Sequence, residues 1–164
     1  MIFVTVGTQL PFDRLIRAID GLAPKIGRRV FAQTSESSFQ PAHIEWRPFI
    51  RPTEVDSFFR EADVIVAHAG IGTILTAQKY GKPLIVMPRR AALGEHRNDH
   101  QLATAKGLEG RRGIYVAQDE AMLADLLSQP LVGPEDAGAP NPARDRLRRH
   151  VNGIIVQALA GGSR

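Results

Sequence analysis

The chain has 164 residues, 43% hydrophobic and 23% charged, a balance that suits one soluble globular domain with its own core and excludes a disordered chain or room for a second full domain. No cysteine is present, which excludes disulfides, thiolate metal sites and cysteine nucleophiles. The formal net charge of +4 suits a phosphate-bearing ligand, an anionic lipid surface or nucleic acid without choosing among them.

In chain order, Ile2-Phe3-Val4-Thr5-Val6 predicts a strand broken by Gly7, and Leu15, Ile16, Ile19 and Leu22 follow at helical spacing. The opening run lacks the basic flank and longer apolar stretch of a secretory signal. Arg29 to Gln33 and His43 to Arg47 predict two more strands, the second bracketed by Pro41 and Pro48. Pro52 fits the first turn of a helix through Phe58 and Phe59, and Asp63 to Ala67 is the apolar run of a strand covered on both faces. A helix from about Gly72 to Tyr80, a strand Pro83 to Met87, a helix Asp99 to Lys106, a strand Ile114 to Val116 and a helix Asp119 to Leu127 continue the alternation. Such alternation predicts an α/β fold with a doubly wound, mainly parallel Rossmann-like sheet over residues 1–128. Pro130, Gly133, Pro134, Gly138, Pro140 and Pro142 mark 129–143 as a linker. Residues 144–164 read as a C-terminal helix and tail, with Leu147, Val151, Ile154, Ile155, Ala158 and Leu159 on one stripe and Arg144, Arg146, Arg148 and Arg149 in the first turns. That helix suits docking on its own domain, in a partner groove or on an anionic membrane. No apolar stretch approaches the roughly 20 residues that cross a bilayer.

Doubly wound sheets collect ligands beyond the carboxyl ends of their strands. Three loops there carry unusual residues. After the first strand, Gly7 marks a tight exit, and Thr8 and Gln9 offer small polar groups; an ordinary turn capped by Thr8 is the alternative. The loop is not G-x-G-x-x-G, which argues against dinucleotide binding and an oxidoreductase. After the fourth strand, His68-Ala69-Gly70-Ile71-Gly72-Thr73 pairs two glycines with a helix start, the arrangement whose free backbone N–H groups receive phosphate. His68 offers a hydrogen bond or a positive charge and Thr73 a hydroxyl; close packing is the alternative use of the glycines. After the fifth strand, Arg89 and Arg90 offer forked donors to phosphate, and Asp99, His100 and Gln101 reach sugar hydroxyls from the next helix start. His96 and His100 are four apart, but the pattern is not H-E-x-x-H and no third ligand stands at fixed spacing, so no metal site is expected.

Taken together, His68 to Thr73, Gly81-Lys82-Pro83-Leu84-Ile85-Val86-Met87-Pro88-Arg89-Arg90 and Gly94-Glu95-His96-Arg97-Asn98-Asp99-His100-Gln101-Leu102-Ala103 resemble the carboxyl-terminal half of GT-B glycosyltransferases. The likeness is greatest to the short stand-alone subunits of that family, the catalytic subunit of the dolichol-linked GlcNAc transferase and the small subunits of bacterial exopolysaccharide glycosyltransferases. The resemblance implies a UDP-sugar donor domain that needs no other cofactor, with UDP-glucuronate favoured by the exopolysaccharide likeness. It further implies a polyprenyl-linked saccharide acceptor, bound mostly by a membrane-associated partner subunit that recruits the chain from the cytoplasm to the inner face of the membrane, and no nucleic-acid partner. By the same resemblance, Gly70, Ile71, Gly72 and Thr73 face the donor phosphates together with Gly7 and Thr8, and His68 is the leading histidine of the motif. His100 and Gln101 lie near the donor sugar, and Arg89 near uracil or the phosphates. The single-chain peptidoglycan-precursor transferase of this fold carries a ribose-binding glutamate where this sequence has Thr76, a departure shared by the stand-alone subunits.

The expected chemistry is inverting glycosyl transfer, in which pre-aimed donors stabilise the departing UDP. No general base is identifiable from the sequence. The alternatives are a UDP-sugar epimerase-like protein, against which the length argues, and a non-catalytic Rossmann-like binding or regulatory module.

Overall fold

The computed structural model describes residues 1–134. Six strands, β1 (Ile2–Thr5), β2 (Val30–Gln33), β3 (Glu45–Arg47), β4 (Val64–His68), β5 (Leu84–Met87) and β6 (Ile114–Val116), form one parallel sheet in the order β3-β2-β1-β4-β5-β6. Helices α1 (Asp13–Ile26), α2 (Pro52–Glu61), α3 (Ile71–Lys79), α4 (His100–Leu108) and α5 (Glu120–Leu127) connect them, with a 3-10 turn at Ala91–Leu93 before α4. The chain adopts the expected doubly wound α/β architecture. Between β1 and β4 the strand order reverses, and the loops after those strands open a crevice at the carboxyl edge.

The central strands are apolar on both faces because helices cover both. Ile2, Val4, Val64, Val66, Ile85 and Met87 point to one side, where Leu15, Ile16 and Ile19 of α1 and Leu123 and Leu127 of α5 pack on them. Phe3, Phe31, Ile65, Leu84 and Val86 point to the other, against Phe59, Ile74, Ala77 and Leu108. Full burial of each large side chain stabilises by roughly 1.5–3 kcal/mol. Phe58 of α2 fastens that second face, its ring stacked on Phe31 at 4.4 Å and on Phe3 at 5.2 Å. Helix α1 runs on through Pro24 and stops at Gly27, whose φ of 64° closes the last turn in the left-handed region.

The element boundaries differ from expectation where side chains compete for backbone groups. Strand β3 begins at Glu45 rather than His43 because the buried Asp20 carboxylate accepts from the amides of Ala42 and His43 at 3.2 and 2.7 Å. Strand β4 runs one residue further than expected, and His68 pairs with Met87 in the ladder. The first residues of the expected linker belong to the domain. Leu131 packs on the α1/α5 side of the core, and the Tyr115 hydroxyl donates to the Val132 carbonyl at 3.1 Å and accepts from its amide at 2.9 Å. The rest of that linker and the expected helix and tail at 144–164 lie outside the described residues. No helix among the described residues is long and apolar enough to cross a membrane.

Candidate functional site

The β1–α1 loop, the β4–α3 turn and the start of α4 enclose a cleft of about 540 Å³ at the strand-order reversal. Gly7, Thr8, His68, Gly70, Ile71, Gly72, Thr73, Arg89, His100 and Gln101 all line it, so the three loops singled out in the sequence do converge. Asp99 does not. Its Oδ1 accepts from the Ala91 amide at 2.8 Å, which folds the β5–α4 loop onto the start of α4 and turns the carboxylate away from the expected sugar contact. Gln9, His96 and Thr104 also face the cleft. His96 is legible in the sequence only as a potential metal ligand. Thr104 lies one helical turn beyond His100, a spacing that identifies it once α4 is known to present that face.

The turn into α3 is the polar heart of the cleft. No side chain caps α3, and the amides of its first turn have no intrahelical acceptor, so they present donors and the positive end of the helix dipole. The glycines divide their work differently from expectation. A Cβ on Gly70 would lie 2.2 Å from His68 Nε2, and one on Gly7, whose φ is 78°, would lie 2.9 Å from His68 Cε1. These two glycines make room for the imidazole. Gly72 is the one open to the cleft, with nothing within 4 Å of a Cβ placed there. The enclosed His68 ring has its pKa pushed down to about 4, first by burial and then by the positive charge of Arg89. It is therefore neutral near pH 7 and supplies no positive charge to a ligand.

Arg89 is 3% exposed, and its Nη2 donates to the carbonyls of Val6, Leu10 and Pro11 at 2.9, 2.6 and 3.4 Å. The guanidinium lies 5.1 Å from the Phe12 ring centroid, and the Arg89 amide donates to Gln101 Oε1 at 3.1 Å. Its expected fork is thus partly committed to pinning the β1–α1 loop. Among the described residues no carboxylate forms an ion pair with it, and burial lowers its pKa while the field of Glu95 opposes that shift. The floor of the cleft accordingly carries a buried cation. Arg90, expected to share in gripping phosphate, instead turns to the Gln118 carbonyl after β6. Gln101 is buried with its oxygen on the Arg89 amide, which commits one of that oxygen's two lone pairs to the protein.

On the α4 side the His96 and His100 rings meet edge to face at 4.5 Å. No group of three His, Asp or Glu side chains that could hold a metal occurs among the described residues. Thr76 turns its hydroxyl onto the Gly72 carbonyl at 2.8 Å, and so does not stand in for a ribose ligand in this arrangement. The sequence offers no sign of a further feature, the half-buried pair of Arg14 and Glu95 behind the β5–α4 loop.

Among known proteins, the chain is 29% identical to the UDP-N-acetylglucosamine–N-acetylmuramyl-(pentapeptide) pyrophosphoryl-undecaprenol N-acetylglucosamine transferase of Phenylobacterium zucineum, over 94% of this chain and 43% of that protein. It is 30% identical to the UDP-N-acetylglucosamine transferase subunit ALG13 of Debaryomyces hansenii, over 65% of this chain and 49% of that one. It thus spans about half the length, or less, of these curated relatives. The solution structure of an ALG13 shares the fold at a TM-score of 0.58 and 20% identity, with 89% of this chain and 93% of that chain covered. The model of the glycosyltransferase family 28 C-terminal domain matches residues 1–132, and the chain belongs to that family.

Proposed function

We propose that this chain is the donor-binding part of a two-part glycosyltransferase, moving a sugar from a UDP-sugar to a polyprenyl-linked acceptor held by a membrane-associated partner subunit. One observation carries the reading. The uncapped amino end of α3, open at Gly72, and the buried guanidinium of Arg89 converge on one cleft at the strand-order reversal. A diphosphate matches both, since amides and cation each favour the negative charge that grows on UDP as the sugar leaves. A helix end supplies roughly 0.3–1 kcal/mol when exposed and up to about 2 kcal/mol when partly buried, well short of the 8 kcal/mol or more typical of enzymes. A positioned acceptor and a general base must supply the rest, and this reading assigns both to the partner side.

The names of the relatives support the scheme, one being a transferase subunit and the other acting on a pyrophosphoryl-undecaprenol carrier. So do the exposed apolar side chains of Leu10, Phe49, Ile71 and Leu93, which stand on the segments that follow β1, β3, β4 and β5, at the carboxyl edge of the sheet, and suit a protein partner at the inner membrane face. Both relatives' names specify N-acetylglucosamine as the sugar. UDP-glucuronate, in exopolysaccharide synthesis, is the second reading, for which exposed Arg97 beside His96 offers a cation.

Titration with UDP and a panel of UDP-sugars, with and without a co-expressed partner, tests the proposal. Gly72→Asp is expected to abolish UDP binding with the fold intact, because a carboxylate at a helix start favours the helix while repelling diphosphate. Unchanged UDP affinity in the folded variant would refute the site, and full transfer by the chain alone would refute the need for a partner.

A further inference from the structure

Two arginines tie together the loops that flank the cleft, and they reach in opposite directions. From the β5–α4 loop, Arg89 donates to the carbonyls of Val6 and Leu10 in the β1–α1 loop. From α1, just beyond the β1–α1 loop, Arg14 reaches back. Its Nε and Nη2 meet Glu95 Oε1 and Oε2 at 2.6 and 2.9 Å, and Nη2 also donates to the Pro88 carbonyl at 3.0 Å. Glu95 in turn accepts from the Arg90 amide at 2.9 Å. The Arg14 and Glu95 side chains are 15% and 12% exposed, so this forked pair is shielded from water and strongly oriented.

The pair governs charge as well as shape. Among the described residues Arg89 has no carboxylate in contact, and Glu95, which holds the amide of the adjoining Arg90 at 2.9 Å, is the acid whose field reaches it. While Arg14 neutralises Glu95 at contact distance, the charge of Arg89 stays available to an anion in the cleft; a lone Glu95 would offset it. Resting on the donor-site reading, we propose that Arg14 is a positioning residue of the anion site: by neutralising Glu95 it reserves the Arg89 charge for the diphosphate. Glu120, 3.7 Å from Arg14 and half-exposed, draws on the same guanidinium from α5 and cannot replace Glu95, because it makes no fork.

The test compares UDP with uridine, which keeps base and ribose and lacks phosphate, by NMR-detected titration of the full chain. Arg14→Leu leaves Glu95 charged and unpaired, and is expected to weaken UDP about tenfold more than uridine, the scale of one unit charge roughly 12 Å away at an effective dielectric of about 20. Adding Glu95→Leu is expected to return the UDP-to-uridine ratio to within about twofold of wild type, because the uncompensated charge is gone. Glu95→Gln alone keeps the shape and is expected to raise the ratio, a readout that survives even if Arg14→Leu does not fold. Parallel losses of both ligands in Arg14→Leu, a double variant no better than the single, or a ratio unmoved by Glu95→Gln would each overturn the inference while UDP binding by the wild type keeps the donor site standing. A wild-type chain that binds no UDP overturns the donor-site reading and this inference with it.

Discussion

His68 sits between two glycines in a space that only glycines leave open. Gly70→Ala would force a methyl against its ring, and such overpacking costs typically 1–3 kcal/mol, or about that much in a urea melt. Gly72→Ala meets nothing within 4 Å and is expected to leave the melt unchanged or slightly stabilised while weakening UDP. The same burial makes His68 a source of pH dependence. With a pKa near 4 in the folded chain against 6.5 for the free side chain, the unfolded state binds the proton more readily, so stability rises with pH between those values. The contribution is full above about pH 6.5 and is lost as pH falls toward 4, in total roughly 3 kcal/mol. His68→Asn is expected to flatten stability over that window in denaturant titrations. Asp13 and Asp20 act lower on the scale: hydrogen bonds from Ser37 and Ser38, and from the His43 and Ala42 amides, outweigh the burial that would raise their pKa values. Their support is present above the carboxylate range and is lost as pH falls through it.

At the scale of elements, short side-chain links decide where loops stand. Asp13 accepts from the Ser37 hydroxyl at 2.6 Å and also from that of Ser38, so the amino end of α1 holds the loop after β2. Asp20, about two turns further along the same face of α1, holds the loop before β3. Tyr115 does the same for the segment that follows α5. Tyr115→Phe removes both hydrogen bonds to Val132, and is expected to destabilise the domain by about 1–3 kcal/mol. Hydrogen exchange at 131–134 should then rise, since a segment packed on the core by few contacts opens first.

For the whole molecule, the proposed division of labour separates two properties that single-site changes can uncouple. Phe49→Asp and Leu93→Asp change exposed apolar side chains of the segments after β3 and β5, outside the residues that line the cleft. Together they are expected to abolish co-purification with the partner subunit and leave UDP affinity within about twofold, as exposed substitutions seldom disturb a fold. UDP itself is expected to stabilise the isolated chain by about 2.7 kcal/mol at 100 times its dissociation constant, seen as a raised melting temperature. No shift with saturating UDP, or an equal shift in Gly72→Asp, would contradict the cleft.

Local order was legible in the sequence because it rests on local physics. Apolar runs at Ile2, Asp63 and Pro83, helical spacing from Leu15 to Leu22 and the glycine-bearing turn at Gly70 to Thr73 determined the strands, the helices and the side of the sheet where a ligand belongs. What lay beyond reach was which polar groups spend their hydrogen bonds on the protein itself. Arg89, Arg90, Asp99 and the oxygen of Gln101 read as ligand contacts by residue type, yet backbone groups 8 to 83 residues away claim some or all of their hydrogen bonds. The neutrality of His68 and the pairing of Arg14 with Glu95, 81 residues apart, likewise came only from tertiary packing. Burial and long-range partners set the charge and the free valence of a side chain, and neither is encoded in its neighbours along the chain.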